Sequence, residues 1–122
     1  MGAMSDEVLR ALKAWGLTFP GAHRKAPWPG HDDLAVNDKT FAYLKVEGEP
    51  FSMSVKLRFT SEVALDLPYA APTGYGLGKS GWVTFTPSDE EMPTLDQLRE
   101  WIEESYRAQA PKKLVKELDA RA

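Results

Sequence analysis

The chain has 122 residues, 43% of them hydrophobic and 27% charged, with a net charge of −3, a balance typical of one ordinary globular domain. That acidity rules out a uniformly basic nucleic-acid-binding domain, so any phosphate contact must come from a local patch. It contains no cysteine, which excludes disulfides, thiolate metal sites and cysteine nucleophiles, and no apolar run approaches the ~20 residues of a membrane helix.

Met1-Gly2-Ala3 ahead of Met4 reads as an appended leader, and the domain as residues 4–119. No basic segment followed by an apolar stretch opens the chain, so no signal peptide is expected and the protein is placed in the cytoplasm. Ser5 is the expected N-cap of a first helix, with Asp6 and Glu7 in its first turn. Val8, Leu9, Ala11, Leu12 and Trp15 recur at helical spacing, and Gly16 closes the helix. Phe19-Pro20-Gly21-Ala22 and Pro27-Trp28-Pro29-Gly30 then bracket His23-Arg24-Lys25, and this density of Pro and Gly predicts an ordered loop.

Leu34-Ala35-Val36 is a short strand, Asn37-Asp38-Lys39 a turn, and Thr40 to Val46 the next strand. Its alternation puts Phe41, Tyr43 and Lys45 on one face and Ala42, Leu44 and Val46 on the other. After the turn Glu47-Gly48-Glu49-Pro50, residues 51–59 alternate cleanly. Phe51, Met53, Val55, Leu57 and Phe59 point inward, and Ser52, Ser54, Lys56 and Arg58 outward. Thr60 or Ser61 caps a short helix holding Val63, Ala64 and Leu67, ended by Pro68 and Pro72.

Residues 72–86 read as a hairpin. Tyr75-Gly76-Leu77 is its first strand, Gly78-Lys79-Ser80-Gly81 its turn and Trp82 to Thr86 its second strand, with Trp82 and Thr84 on one face and Val83 and Phe85 on the other. Residues 87–93 form an acidic loop. Thr94-Leu95-Asp96-Gln97 is a capping box opening a helix that buries Leu95, Leu98, Trp101, Ile102, Ser105 and Tyr106 and exposes Glu100, Glu103, Glu104 and Arg107. Pro111 ends it, and Lys112 to Leu118 forms a last helix. The expected fold is α+β: a single domain whose antiparallel sheet, a β-meander plus a β-hairpin, is flanked by N-terminal and C-terminal helices.

The residues offer no catalytic constellation. His23, His31, Asp32 and Asp33 match no metal-ligand spacing and read as surface histidines and carboxylates beside them. Gly78-Lys79-Ser80 has the ending of a phosphate loop, but Thr73 stands where its first Gly belongs and a strand follows where a helix should. No enzyme activity, cofactor or metal is expected. Two binding readings remain. Lys39, Lys45, Lys56, Arg58 and Lys79 lie on the predicted hairpins, with Arg24 and Lys25 nearby, and converging on one face they would contact DNA phosphates, Tyr43 or Trp82 adding stacking. Alternatively, the aromatic loop around Trp28, with His23, Tyr75 and Trp82, forms a pocket for a small molecule or a protein segment.

The chain resembles the MmcQ/YjbR family of small bacterial proteins. The carrying residues are Phe19-Pro20-Gly21-Ala22, Pro27-Trp28, Phe41-Ala42, Ser54-Val55-Lys56, the Gly74-Tyr75 to Gly81-Trp82-Val83 segment, and Leu98 through Ile102-Glu103-Glu104-Ser105-Tyr106. The resemblance spans roughly Val8 to Leu118. It implies an antiparallel sheet flanked by helices, related to the CyaY-like arrangement, and a "double wing" type of DNA binding; a monomer with no membrane partner is expected. The resemblance supplies no catalytic residues. The acidic first-helix ridge of frataxin-like iron binders is missing, since Asp6 and Glu7 stand beside Arg10 and Lys13. The chain departs from the family pattern at Pro27-Trp28-Pro29-Gly30, where Pro-Trp-Gly is common, and at Gly76-Leu77-Gly78-Lys79, where Met-Asn-Lys is frequent.

Overall fold

The computed structural model describes residues 3–26 and 29–121. In chain order its elements are α1 (Ala3–Gly16), β1 (Ala22–Lys25), β2 (Asp33–Val36), β3 (Lys39–Leu44), β4 (Met53–Lys56), α2 (Ser61–Ala64), β5 (Ala70–Pro72), a 3₁₀ turn (Leu77–Ser80), β6 (Trp82–Phe85), α3 (Leu95–Gln109) and α4 (Lys112–Ala120). The six strands form one antiparallel sheet in the order β1-β2-β3-β4-β6-β5. The fold is therefore the expected α+β domain, an open sheet with helices on one face.

Helix α3 lies across β3 and β4, with α1 packed beside it. Leu34, Ala42, Leu44, Met53, Val55, Val83 and Phe85 share the helix-facing side by register and are all buried. Phe85 stacks on Trp101 at 4.1 Å, and Tyr106 meets Phe19 and Phe41 at 4.6 and 5.3 Å while donating its hydroxyl to the Pro20 carbonyl. Gly16 closes α1 for a packing reason: a Cβ there would come within 2.4 Å of the Leu34 side chain. At the far end of β6, Gly81 has φ +93° and would bring a Cβ within 2.9 Å of the Leu57 carbonyl oxygen.

Several sequence expectations are corrected. The Pro/Gly-rich stretch holding His23-Arg24-Lys25 is strand β1, because its prolines flank Ala22–Lys25 rather than interrupt it, leaving those four residues to pair with Val36 through Asp33. The first strand of the late hairpin is Ala70–Pro72, not Tyr75-Gly76-Leu77. Tyr75 and Gly76 have φ of +59° and +77°, which no strand accommodates, and Pro72 is tolerated because β5 is an edge strand. The expected tight turn Gly78–Gly81 is largely the 3₁₀ turn, bounded by left-handed Gly76 and Gly81. Trp82 to Phe85 alternate as expected.

In β3, Ala35 pairs with Thr40 and Leu34 with Ala42, so Phe41 is an extra residue in a bulge. Phe41 consequently shares the helix-facing side with Ala42 and Leu44 and is buried, instead of alternating with them. Phe59, expected inward, is 87% exposed, since the strand ends at Lys56. Helix α1 starts at Ala3 and buries Ser5, so Ser5 is not its cap. Thr60 precedes α2 but donates its hydroxyl to Glu104 rather than capping the helix. Glu104, expected on the solvent face, also accepts the Phe59 and Thr60 N–H groups. The Thr94 cap holds as read, with Oγ1 accepting the Gln97 N–H.

Candidate ligand cleft on the open sheet face

The sheet face turned away from α1 and α3 carries Tyr43, Ser54, Lys56, Trp82 and Thr84, placed there by the pairs Tyr43–Ser54, Ser54–Thr84 and Lys56–Trp82. A cleft of about 520 Å³ opens on this face, lined by His31, Tyr43, Ser54, Thr73, Tyr75 and Leu77. Its size is that of a small-molecule site. Tyr43 approaches from β3, and Thr73, Tyr75 and Leu77 come from the connection that leaves the β5 edge. Tyr43 is backed by Trp82, ring centroids 5.2 Å apart, which buries the indole although it lies on the open face. Tyr75 stands at the rim on a left-handed backbone with its side chain fully exposed.

The floor is a line of hydroxyls. Ser54 Oγ lies 2.7 Å from Thr84 Oγ1, which lies 2.9 Å from Thr73 Oγ1. At the other end, His31 forms a bridge with Lys45, and its Nδ1 is 3.3 Å from Asp33 Oδ1. Asp33 is fully buried and accepts the Leu44 N–H at 2.8 Å, while its Oδ2 has no hydrogen-bond partner among the described residues. Burial pushes the Asp33 carboxyl above the ordinary value, against the opposing pull of the Leu44 N–H and His31. Its sequence neighbour Asp32 faces the helices. There it pairs with Arg24 and, at 3.0 Å, with Lys13, and the Arg24 hydrogen bond holds it below the ordinary value despite partial burial.

The five basic residues singled out in the sequence do not converge. Lys45 and Lys56 share the open face. Extending the β3–β4 register sets them four residues apart along the strands, about 14 Å, with Tyr43 and Ser54 between. Lys79 is exposed on the 3₁₀ turn beside the cleft. Arg58 is on the helix side, where its guanidinium donates to the Ala108 carbonyl at 3.1 Å. Lys39 is exposed at the mouth of the β2–β3 turn, opposite Val36 of the helix-facing side.

Of the alternative aromatic set, Tyr75 lines the cleft and Trp82 supports it, whereas Trp28 lies outside the described residues. His23 is held elsewhere. It faces the sheet on β1 opposite Ala35, and its Nε2 accepts the Asp38 N–H at 3.3 Å, which fixes the Asn37-Asp38 turn. The sequence reading took Tyr43 only as a stacking group and His31 only as a surface histidine, and it assigned no role to Ser54, Thr73 or Leu77. The outward alternation of Ser52, Ser54 and Lys56 was the one signal for this floor. Among the described residues, no group of three His, Asp or Glu side chains is placed to hold a metal ion, and no helix is long and apolar enough to cross a membrane.

Comparison with known proteins agrees with this architecture. The chain superposes on the crystal structure of Deinococcus radiodurans protein DR2400, which carries the DUF419 family-model domain, with a TM-score of 0.65 at 24% identity over 90% of this chain and 86% of that one. At that identity the likeness speaks for the fold alone. No curated protein matches the sequence. The YjbR family model matches residues 17–108, from the end of α1 to the last turn of α3, and the chain therefore belongs to the YjbR family.

Proposed function

We propose that this domain is a non-enzymatic binding module whose site is the cleft on the open sheet face. One observation carries the reading: two tyrosines and Leu77 make apolar sides around a floor of hydroxyls, in a cleft of about 520 Å³ with His31 at one end. Such a mixture of apolar wall and few convergent polar groups is what small-ligand sites use for affinity and orientation. The ligand class is a small molecule with a flat apolar face. The test is a fragment screen followed through amide NMR shifts. Binders should shift Tyr43, Ser54, Thr73 and Tyr75 together, and Tyr43→Ala should weaken them at least tenfold. A screen in which hits scatter over the helix layer overturns the reading.

A second reading, DNA binding by a cytoplasmic monomer, draws support from Lys45 and Lys56 sharing the open face with Tyr43, and from Lys79 beside it. Arg58 and Lys39 do not contribute to that surface. With two or three phosphates neutralised, the log–log salt slope for duplex DNA would be about −2 to −3. Fluorescence anisotropy of labelled duplex at two salt concentrations measures it. No binding at low salt rejects this second reading and leaves the cleft reading standing.

A further inference from the structure

The hydroxyl line on the cleft floor constrains its ligand further. Thr84 Oγ1 has two hydroxyl partners, Ser54 at 2.7 Å and Thr73 at 2.9 Å, and no third among the described residues. Thr84 is half-buried, and with its proton kept within the line that proton goes to one of them while the other donates to it. The hydroxyl that receives the Thr84 proton keeps its own for an outside acceptor. The hydroxyl that donates to Thr84 has only lone pairs left to offer. Ser54 and Thr73 both line the cleft, so the cleft presents one donor and one acceptor on either side of Thr84. Rotation of the three hydroxyls together exchanges the two roles.

This pattern discriminates between ligands. A carboxylate or phosphate edge asks for two donors, and the line supplies one. An ammonium group asks for two acceptors, and it supplies one. A C=O next to an N–H matches both ends at once. Tyr43 and Tyr75, with Leu77, add aromatic and apolar sides suited to a flat ring, and Tyr75, fully exposed without a ligand, gains cover from one. We propose that the Ser54–Thr84–Thr73 line reads the lactam edge of a planar heterocycle of the nucleobase type. The proposal rests on the cleft being the binding site and names the chemistry it selects. Such a ring comes either from a free nucleoside or from an unpaired base in a nucleic-acid strand, and Lys45 and Lys56 flank the cleft for the phosphates of the latter.

The test uses uridine, which has a lactam edge, and 3-methyluridine, in which a methyl group replaces that N–H while the ribose is unchanged. Both are titrated into the isotope-labelled protein and followed at the Ser54, Thr73 and Tyr75 amides. The proposal expects uridine to shift these amides and 3-methyluridine to bind at least tenfold more weakly. Thr84→Val keeps the side-chain shape but removes the central hydroxyl, and it should erase the difference between the two nucleosides. Should Thr84→Val fail to fold, Thr73→Val makes the same test from the end of the line. A short oligouridylate binding much more tightly than uridine, with salt dependence, assigns the ligand to a nucleic-acid strand. Equal affinities per base assign it to a free nucleoside.

Equal binding of uridine and 3-methyluridine overturns the lactam-edge proposal and leaves the cleft as the site. So does an absence of nucleoside binding when other fragments shift the same amides. If no compound shifts them, both readings fall together.

Discussion

The Ser105 hydroxyl donates to the Phe41 carbonyl at 2.6 Å and accepts the Lys56 N–H at 2.8 Å. One fully buried side chain of α3 thus ties β3 to β4 from beneath the two strands that carry Tyr43 and Ser54. Replacing it with alanine leaves a buried carbonyl and a buried N–H without partners. Ser105→Ala should cost about 1–3 kcal/mol in urea denaturation. A loss below about 0.5 kcal/mol would show that the strands are held in place without it.

Phe41 and Phe59 both leave the places that the sequence alternation gave them. Phe41 is buried against Tyr106 by the β3 bulge, and Phe59 lies beyond the end of β4 at 87% exposure. Phe41→Ala should therefore cost about 3–5 kcal/mol, and Phe59→Ser should stay within about 0.5 kcal/mol of the parent. Similar costs at the two sites would contradict the register described for β3 and β4.

That pair also shows where sequence reading succeeds and where it stops. The alternation of residues 51–57, the i, i+3, i+4 spacing from Leu95 to Tyr106 and the Thr94 cap are local signals; the helix and its cap formed where they were read, and the strand formed over the shorter span Met53–Lys56. Phe41 depends on a bulge and Phe59 on where the strand ends, both decided by pairing with residues distant in sequence. Strand β1 hid among prolines because what makes it a strand is its partner β2. The cleft was the least legible part. Tyr43, Ser54 and Thr73 come from three separate segments, Tyr43 pairing directly with Ser54 and Thr73 joined to Ser54 through Thr84 of the β6 strand that lies between β4 and β5. Tyr75 was named for its aromatic ring, but as part of a strand that its positive φ forbids.

Asp32 and Asp33 should pull stability in opposite directions with pH. Asp32, held down first by the Arg24 hydrogen bond and also by Lys13, stabilises the fold above its unfolded value of 3.8, and this is lost as pH falls through its lower folded value. Asp33, pushed up by burial, keeps its proton to higher pH in the folded chain than in the unfolded one. Its contribution therefore weakens the fold as pH rises from 3.8 through the raised value. Asp33→Asn retains an acceptor for the Leu44 N–H and removes the second effect. Denaturation midpoints between about pH 3 and pH 7 should move in favour of the variant, relative to the parent, as pH rises. A difference that does not change with pH would contradict the assignment.

The basic residues divide by face, and their effects on nucleic-acid binding should divide in the same way. Lys56→Ala, on the open face, should weaken any DNA affinity and reduce the log–log salt slope by about 0.9. Arg58→Ala, on the helix side at the Ala108 carbonyl, should leave both unchanged. Anisotropy titrations with the same labelled duplex compare them. A larger effect from Arg58→Ala would move the contact surface to the α3–α4 side of the domain.

The most direct test of the central claim, that the open-face cleft is the functional site, is an amide-resolved fragment titration of the parent protein and of Tyr75→Ala. Tyr75 is fully exposed, so its removal should leave the fold intact and act only on what the cleft holds. The account predicts shifts at Tyr43, Ser54 and Thr73 that saturate with the parent and require several-fold higher ligand concentration with the variant. Saturating shifts that fall elsewhere on the domain, or that are unchanged by Tyr75→Ala, would contradict it.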